Sequence, residues 1–136
     1  MNNFGSKNSN ENAMARYGIS SDLGGSVSPV ILDVEFFNIG ITYHPGIFII
    51  TDPGYYRFTV QCYNKELNDQ FARVKVEVDS VLSKAEDAIS TFCHYATAGS
   101  ASGIFYLEAF DTVFLNKSGE RLNGGAHWNN FMIEKV

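Results

Sequence analysis

The chain has 136 residues, a formal net charge of −5 and an aromatic content of 14%. Its Lys and Arg residues are scattered, so it lacks the basic patch that nucleic acid or an anionic membrane surface requires. No apolar run approaches the roughly 18 residues of a membrane-spanning helix, which predicts no membrane insertion. The length fits a single domain, and the aromatic content favours a dense β core.

The first 14 residues are rich in Asn, Ser and Gly. They lack the positive start and the apolar centre of a signal peptide. This composition predicts a disordered tail or an added leader. We therefore expect the folded domain to occupy residues 15–136.

The most informative stretch predicts a β-hairpin. An unbroken apolar run, Ile47–Ile50, is typical of a strand buried on both faces. The sequence Asp-Pro-Gly-Tyr at 52–55 predicts a type II turn with positive φ at Gly54. Beyond it, apolar and polar residues alternate, which predicts an antiparallel strand with inward-facing side chains at Tyr56, Phe58 and Val60.

Further strands are predicted along the rest of the chain. Val74, Val76 and Val78 alternate with charged residues, which indicates a strand with one solvent-facing side. Shorter strands are predicted at 90–95, 104–107, 112–115 and 128–133, with flexible or polar connections at 99–103 and 116–125. Many short strands without a convincing helix predict a β-sandwich or barrel.

The two cysteines, Cys62 and Cys93, are too few for a disulfide scaffold. Each lies in a strand-like apolar segment. We expect two buried reduced thiols, and a disulfide between them is the alternative.

No motif for catalysis or cofactor binding is visible. In the Gly-Ser-Ala-Ser-Gly segment, Ala101 occupies the place of the nucleophile in a Gly-x-Ser-x-Gly elbow. The histidines, His44, His94 and His127, are isolated and lack the spacing of zinc ligands. We therefore expect no enzymatic activity and no bound cofactor.

Three residues are weak candidates for ligand binding. Asp111 either contacts a cation or ligand, or forms a turn through its own backbone, which we favour. His127 and Trp128 follow a Gly-Gly pair, and Trp is enriched at binding hot spots. We favour the interpretation that Trp128 instead starts the last strand, which leaves His127 as the better surface candidate. Asn116 begins the sequon Asn-Lys-Ser and is a candidate glycosylation site.

Three blocks of sequence resemble the globular head of complement component 1q over residues 16–133. The first block follows the family pattern at Asn38, Gly40, Tyr43, Gly46, Phe48, Gly54, Tyr56 and Phe58. The second block follows it at Phe105, Leu107, Asp111 and Val113, and the third at Trp128 and Phe131. Phe110 and Asn130 stand where the family usually has Gly.

The resemblance implies a divergent member of the tumour-necrosis-factor-like superfamily. The fold that it implies is all-β, a jelly-roll β-sandwich of about ten strands that assembles as a homotrimer. Family members are mostly secreted, some trimers hold calcium, and some relatives bridge the strands equivalent to those of Cys62 and Cys93. A surplus of large apolar residues agrees with a trimer seam, with strand-borne candidates at Tyr43, Tyr106 and Phe131.

The function implied is non-enzymatic recognition, lectin-like or in innate immunity. Three sites on one trimer would bind glycans, microbial surface ligands or a protein partner through surface loops, with avidity from multivalency. One alternative is a cytokine-like receptor ligand of the same superfamily. Another is a structural adhesin or tip domain whose role is trimerisation.

Overall fold

The computed structural model describes residues 13–64, 71–80, 86–94, 97–119 and 121–136, which form ten strands in two antiparallel five-stranded sheets. The strands are β1 (Met14–Gly18), β2 (Val34–Ile39), β3 (Thr42–His44), β4 (Ile47–Ile49), β5 (Gly54–Asn64), β6 (Phe71–Asp79), β7 (Glu86–His94), β8 (Thr97–Leu107), β9 (Thr112–Gly119) and β10 (Asn130–Lys135). This architecture confirms the expected jelly-roll β-sandwich. The predicted tail lies almost entirely outside the described residues.

The two sheets enclose one core. Sheet 1 has the strand order β2-β1-β10-β5-β8, and sheet 2 has the order β3-β4-β9-β6-β7. The period of two in β5 is confirmed, because Tyr56, Phe58 and Val60 are at most 2% exposed. Arg57 and Thr59, on the opposite side of the strand, are half-buried.

The predicted hairpin is wrong, because β4 belongs to sheet 2 and β5 to sheet 1. After β4, Ile50 donates its N–H to the Asp111 carbonyl (2.9 Å) and accepts from the Phe110 N–H (2.6 Å). These bonds hold Ile50 against the β8–β9 turn, so the chain does not fold back directly from β4 into a hairpin. Gly54 has positive φ as predicted, but its value of 156° is far from the roughly +80° that a type II turn requires, and Gly54 opens β5 instead.

Three other expectations from the sequence are also corrected. The Ile47–Ile50 run is not buried on both faces, because Ile47 and Ile49 point to the partly exposed side of β4. The 99–103 segment is not a flexible connection but part of β8, paired with β5 along its whole length. Gly99 permits this, since a Cβ there would lie 1.8 Å from the Phe92 carbonyl oxygen. The polar stretch from residue 116 begins as strand, because β9 continues to Gly119.

Cys62 of β5 and Cys93 of β7 are free thiols that meet in the core, one from each sheet. Both are at most 1% exposed. A hydrogen bond with the Cys93 thiol, together with burial, raises the pKa of the Cys62 thiol. Cys62 is therefore neutral and a poor nucleophile in the folded domain.

The two ends of the described chain lie side by side. β1 pairs with β10 in antiparallel register, Met14 opposite Glu134. The Lys135 N–H donates to the Ala13 carbonyl (2.8 Å), which extends this pairing outward. Both ends therefore leave the sandwich at one pole, and the loop before β10 lies at the other.

Candidate functional site

The family-signature polar residues hold turns together. The Asn38 side chain closes the β2–β3 turn, since its Oδ1 accepts from the Ile41 N–H (3.0 Å) and its Nδ2 donates to the Ile41 carbonyl (2.7 Å). Nδ2 also donates to the Tyr17 hydroxyl (2.9 Å). Gly40, inside this turn, has a φ of 73°, which favours glycine.

Tyr43 ties the segment before β2 to the β3–β4 turn. Its hydroxyl accepts from the Leu32 N–H and the Gly46 N–H, each at 2.9 Å. Its ring packs on Tyr17 (4.4 Å between centroids) and Phe48 (4.6 Å). Tyr43 was a candidate for the trimer seam, but these contacts of its side chain are all within one chain. Phe131, another residue expected at a trimer seam, is fully buried in the core, so that expectation is wrong.

The remaining signature residues form the core or brace it. Their exposed fractions are at most 2% for Phe48, Tyr56, Phe58, Leu107, Val113 and Phe131. The Tyr56 hydroxyl donates to the Asp52 carbonyl (2.6 Å). Burial, with a smaller contribution from the Asp52 charge, raises the pKa of Tyr56 to about 12.

Asp111 is a turn residue in this structure. It is 2% exposed, and its Oδ2 accepts from the Glu108 N–H (2.9 Å) across the β8–β9 turn. Its neighbour Phe110 has a φ of 71° and is 71% exposed. Across the described ranges, no three His, Cys, Asp or Glu side chains come together in a group that could hold a metal ion.

His127 and Trp128 lie in an exposed loop before β10. Trp128 is 55% exposed, and its ring packs at a tilt beside that of Tyr63, with 5.2 Å between the centroids. Our expectation that Trp128 starts the last strand is wrong, because β10 begins at Asn130. The His127 ring lies 5.5 Å from that of Phe36, and its carbonyl accepts from Gln61 Nε2 (2.8 Å). The loop therefore presents an aromatic surface at the pole opposite the chain ends.

Two buried asparagines, which sequence reasoning did not single out as functional, shape this loop. Asn129 accepts from the Tyr63 N–H (2.7 Å) and donates to the Asn123 carbonyl. Asn130 donates to the Ala126 carbonyl at 2.8 Å and accepts from Arg16 Nε at 3.2 Å. For Asn130, the sequence did contain a signal, because an Asn stands where the family usually has Gly. The substitution adds an amide side chain that can form hydrogen bonds at a position where the family has no side chain.

The outer side of sheet 1 exposes large apolar side chains, and we call it the apolar face. Its members that are at least half exposed are Ile39, Tyr55, Ile104 and Tyr106. Tyr55 and Tyr106 are directly opposite each other in the β5–β8 ladder, with ring centroids 5.2 Å apart. The Arg57–Glu134 ion pair (3.2 Å) crosses this face.

The outer side of sheet 2, which we call the charged face, is different. The outward residues of β6 are Arg73, Lys75, Glu77 and Asp79. Opposite Lys75 in the ladder is Asn116, whose Oδ1 accepts from Ser28 Oγ and whose Nδ2 donates to Glu77. The side-chain nitrogen of Asn116, to which a glycan would be attached, therefore already donates a hydrogen bond to the Glu77 carboxylate.

Comparison with solved structures supports the fold. The crystal structure of murine APRIL matches with a TM-score of 0.76 at 13% identity, over 92% of this chain and 99% of that one. Eiger, a TNF from S. frugiperda, matches with a TM-score of 0.75 at 10% identity, over 93% of each chain. The globular domain of zebrafish complement 1qA protein matches with a TM-score of 0.69 at 11% identity, over 93% and 98%. No curated protein matches the sequence.

The described residues contain no helix with the length and apolarity to cross a bilayer. Domains of the C1q and TNF-like type are generally non-enzymatic recognition modules and are typically extracellular. The C1q domain family model matches residues 14–132, nearly the whole length of the sandwich described above. The chain belongs to the C1q domain family.

Proposed function

We propose that this chain is an extracellular, non-enzymatic recognition domain that works as a homotrimer assembled through the apolar face. The observation that supports the assembly is the exposure of this face: Ile39 is 53%, Tyr55 59%, Ile104 50% and Tyr106 52% exposed. A monomer would leave these side chains in contact with water. Closed three-fold packing would bury them, and obligate interfaces are typically large and apolar.

Ligand recognition is assigned to surfaces that such an assembly leaves in water. The loop of His127 and Trp128 lies at the pole opposite the chain ends, where the Asn129 and Asn130 bonds fix it. An aromatic side chain on a rigid loop is a suitable anchor for a glycan, a microbial surface molecule or a protein. Three copies on one trimer would convert weak contacts into avid binding.

Light scattering tests the assembly at micromolar concentration. We expect about three times the protomer mass of 15.1 kDa. A monomer with an intact β spectrum would contradict the proposal and remove the avidity mechanism. A glycan and bacterial-surface screen then tests recognition. A trimer that binds none of these ligands would instead support a purely structural role.

A further inference from the structure

The segment that leads into the His127 and Trp128 loop contains the dipeptide Asn123-Gly124. In an Asn-Gly pair, the backbone nitrogen of the glycine can attack the side-chain amide carbon of the asparagine, because the glycine has no side chain that blocks the approach. Asparagine in this sequence therefore deamidates spontaneously wherever the backbone is free to move. Whether the reaction proceeds in the folded chain depends on what holds the two residues.

Gly124 is required by the packing around it. A Cβ at this position would lie 2.7 Å from the Ser20 carbonyl oxygen and 2.8 Å from the Ser21 carbonyl carbon. Both distances are shorter than van der Waals contact, so a side chain would push the 20–21 segment away. A bulkier residue after Asn123, which would slow the attack, is therefore excluded. The fold retains the reactive pair for a structural reason.

Backbone hydrogen bonds hold the segment that contains the pair. The Asn123 N–H donates to the Tyr63 carbonyl (3.2 Å), and the Asn123 carbonyl accepts from the Asn129 side chain. Just before the pair, Leu122 exchanges both backbone hydrogen bonds with Leu23, each at 2.9 Å. Asn123 is also only 3% exposed, so its side chain has little room to turn. Ring closure needs both the side chain and the backbone to rotate, and these contacts oppose that rotation.

The Asp22 carboxylate holds the attacking nitrogen itself. Its Oδ1 accepts from the Gly124 N–H at 2.5 Å. The nitrogen attacks only after it has lost its proton. A carboxylate at this distance binds that proton and repels the negative charge that its loss would leave. The other oxygen of Asp22 lies 3.8 Å from Arg121, but an exposed ion pair of this length contributes little.

We propose that Asn123 is a deamidation site that the Asp22 carboxylate keeps unreactive, and that reaction there releases the loop that carries Trp128. In the reaction, the Gly124 nitrogen loses its proton to solvent and bonds to the Asn123 side-chain amide carbon. The bond from that carbon to Nδ2 breaks, and ammonia leaves with a proton from solvent. Water then opens the succinimide ring at either carbonyl, which gives aspartate or isoaspartate. One water molecule is taken up for each ammonia released.

Either product disturbs the support of the loop. Asn129 donates to the Asn123 carbonyl and accepts from the Tyr63 N–H, and Trp128 packs against the Tyr63 ring. Aspartate places a charge at a buried position, and isoaspartate lengthens the backbone beside the carbonyl that Asn129 binds. The consequence for ligand binding rests on the proposed recognition function, whereas the chemistry does not. Deamidation would then end recognition by the loop as the protein ages.

The rate of deamidation in the folded protein tests the role of Asp22. Mass spectrometry of a proteolytic peptide that contains Asn123 follows the reaction during incubation in mildly alkaline buffer. Asp22→Ala should raise the rate about tenfold, the equivalent of one lost hydrogen bond to a charged group. Asp22→Asn keeps an acceptor without the charge and should raise it about threefold, because a charge-assisted hydrogen bond is roughly twice as strong as a neutral one. The matched control is Arg121→Gln, which removes the ion pair but not the bond to Gly124 and should react like the parent.

Trp128 is the only tryptophan in the chain, so its fluorescence reports on the loop alone. The deamidated form, separated from the parent by ion exchange, should show a shifted emission maximum and stronger quenching by acrylamide. Circular dichroism of the variants and of the deamidated form should show an intact β fold, which separates release of the loop from global unfolding.

Three results would overturn the proposal. They are equal rates in the parent and Asp22→Ala, equal rates in the parent with and without denaturing urea, and Trp128 emission that deamidation leaves unchanged. The two proposals fail separately. A domain that binds no ligand can still deamidate in the way that depends on Asp22, which keeps this inference without the recognition function. A domain that binds ligand through the loop and reacts equally fast with and without Asp22 keeps the recognition function alone.

Discussion

The two outer faces of this sandwich follow the same alternation of inward and outward residues, but one face is apolar and the other is charged. In both sheets, alternate residues point away from the core. In sheet 1 these residues include Tyr55, Ile104 and Tyr106, and in sheet 2 they include Arg73 and Lys75. Strand periodicity determines which residues face outward but not what covers them. Our proposals explain the difference: a second copy covers the apolar face, and the charged face remains in water.

The largest effect is expected from a pair of substitutions that tests the difference between the two faces directly. Tyr106 on the apolar face and Phe92 on the charged face are both 52% exposed aromatic residues. Tyr106→Glu should dissociate the trimer, because a buried unpaired carboxylate at each of three seams costs about 2 kcal/mol or more. Phe92→Glu should leave the trimer intact. Light scattering distinguishes the two masses, and circular dichroism confirms that both variants are folded.

A trimeric Tyr106→Glu variant would contradict the role of the apolar face. Dissociation by both substitutions would show that the two faces do not differ in the way described. The comparison of Tyr106→Glu with Phe92→Glu is informative because the two side chains are equally exposed in the single chain. A difference in their exposure to water therefore cannot explain a difference between the two masses.

The second prediction concerns Tyr56, which braces β5 of sheet 1 from inside the core. Its folded pKa of about 12 lies above the value of 10.0 for an unperturbed tyrosine. The stability that follows from this shift is fully present below pH 10 and is lost as pH rises from 10 to 12, by about 2–3 kcal/mol. Tyr56→Phe should cost about 1 kcal/mol at neutral pH through the lost bond to Asp52, yet should lose less stability in alkali. Urea unfolding at pH 7, 10 and 11.5 measures both effects, and parallel pH profiles for the two proteins would disprove the assignment.

The third prediction concerns the crossing from sheet 2 to sheet 1 at Gly54. A Cβ there would lie 2.7 Å from Lys135 Cε, and the φ of 156° disfavours other residues. Gly54→Ala should therefore lower the free energy of unfolding by about 1 kcal/mol or more, partly by disturbing the Lys135–Asp52 ion pair. Urea denaturation is the measurement. Lys135→Ala is the control, since alanine at Gly54 should cost less in that background if the contact is the cause.

The smallest effect is expected at the return crossing, from β8 to β9. Phe110 occupies the left-handed region and packs little, being 71% exposed. Phe110→Gly should remove about 1 kcal/mol of backbone strain and lose part of it to the entropy of the unfolded chain. We expect a net stabilisation of about 0.5 kcal/mol in urea titration. A destabilised variant would show that the Phe110 ring makes contacts important for folding.

The sequence predicted well what depends on local periodicity and less well what depends on distant partners. The inward residues of β5 follow from a period of two that the core enforces. The Pro53 turn was misread, because the pairing of β4 with β9 outweighs the local preference for a hairpin. Contacts across the charged face were out of reach in the same way. Arg73 and Ser118 are far apart in sequence, and only the strand register places them opposite each other.

The pairing of β1 with β10 has a practical consequence for attaching this domain to other objects. Both ends of the described chain emerge at one pole, and six residues of β10 separate them from the loop that carries Trp128. A tether or a fluorescent label attached at either end of the described chain would project from that pole. Immobilised through either end, the domain would present the His127 and Trp128 loop to the solution, so sensor chips and cell-surface display can use the two orientations interchangeably.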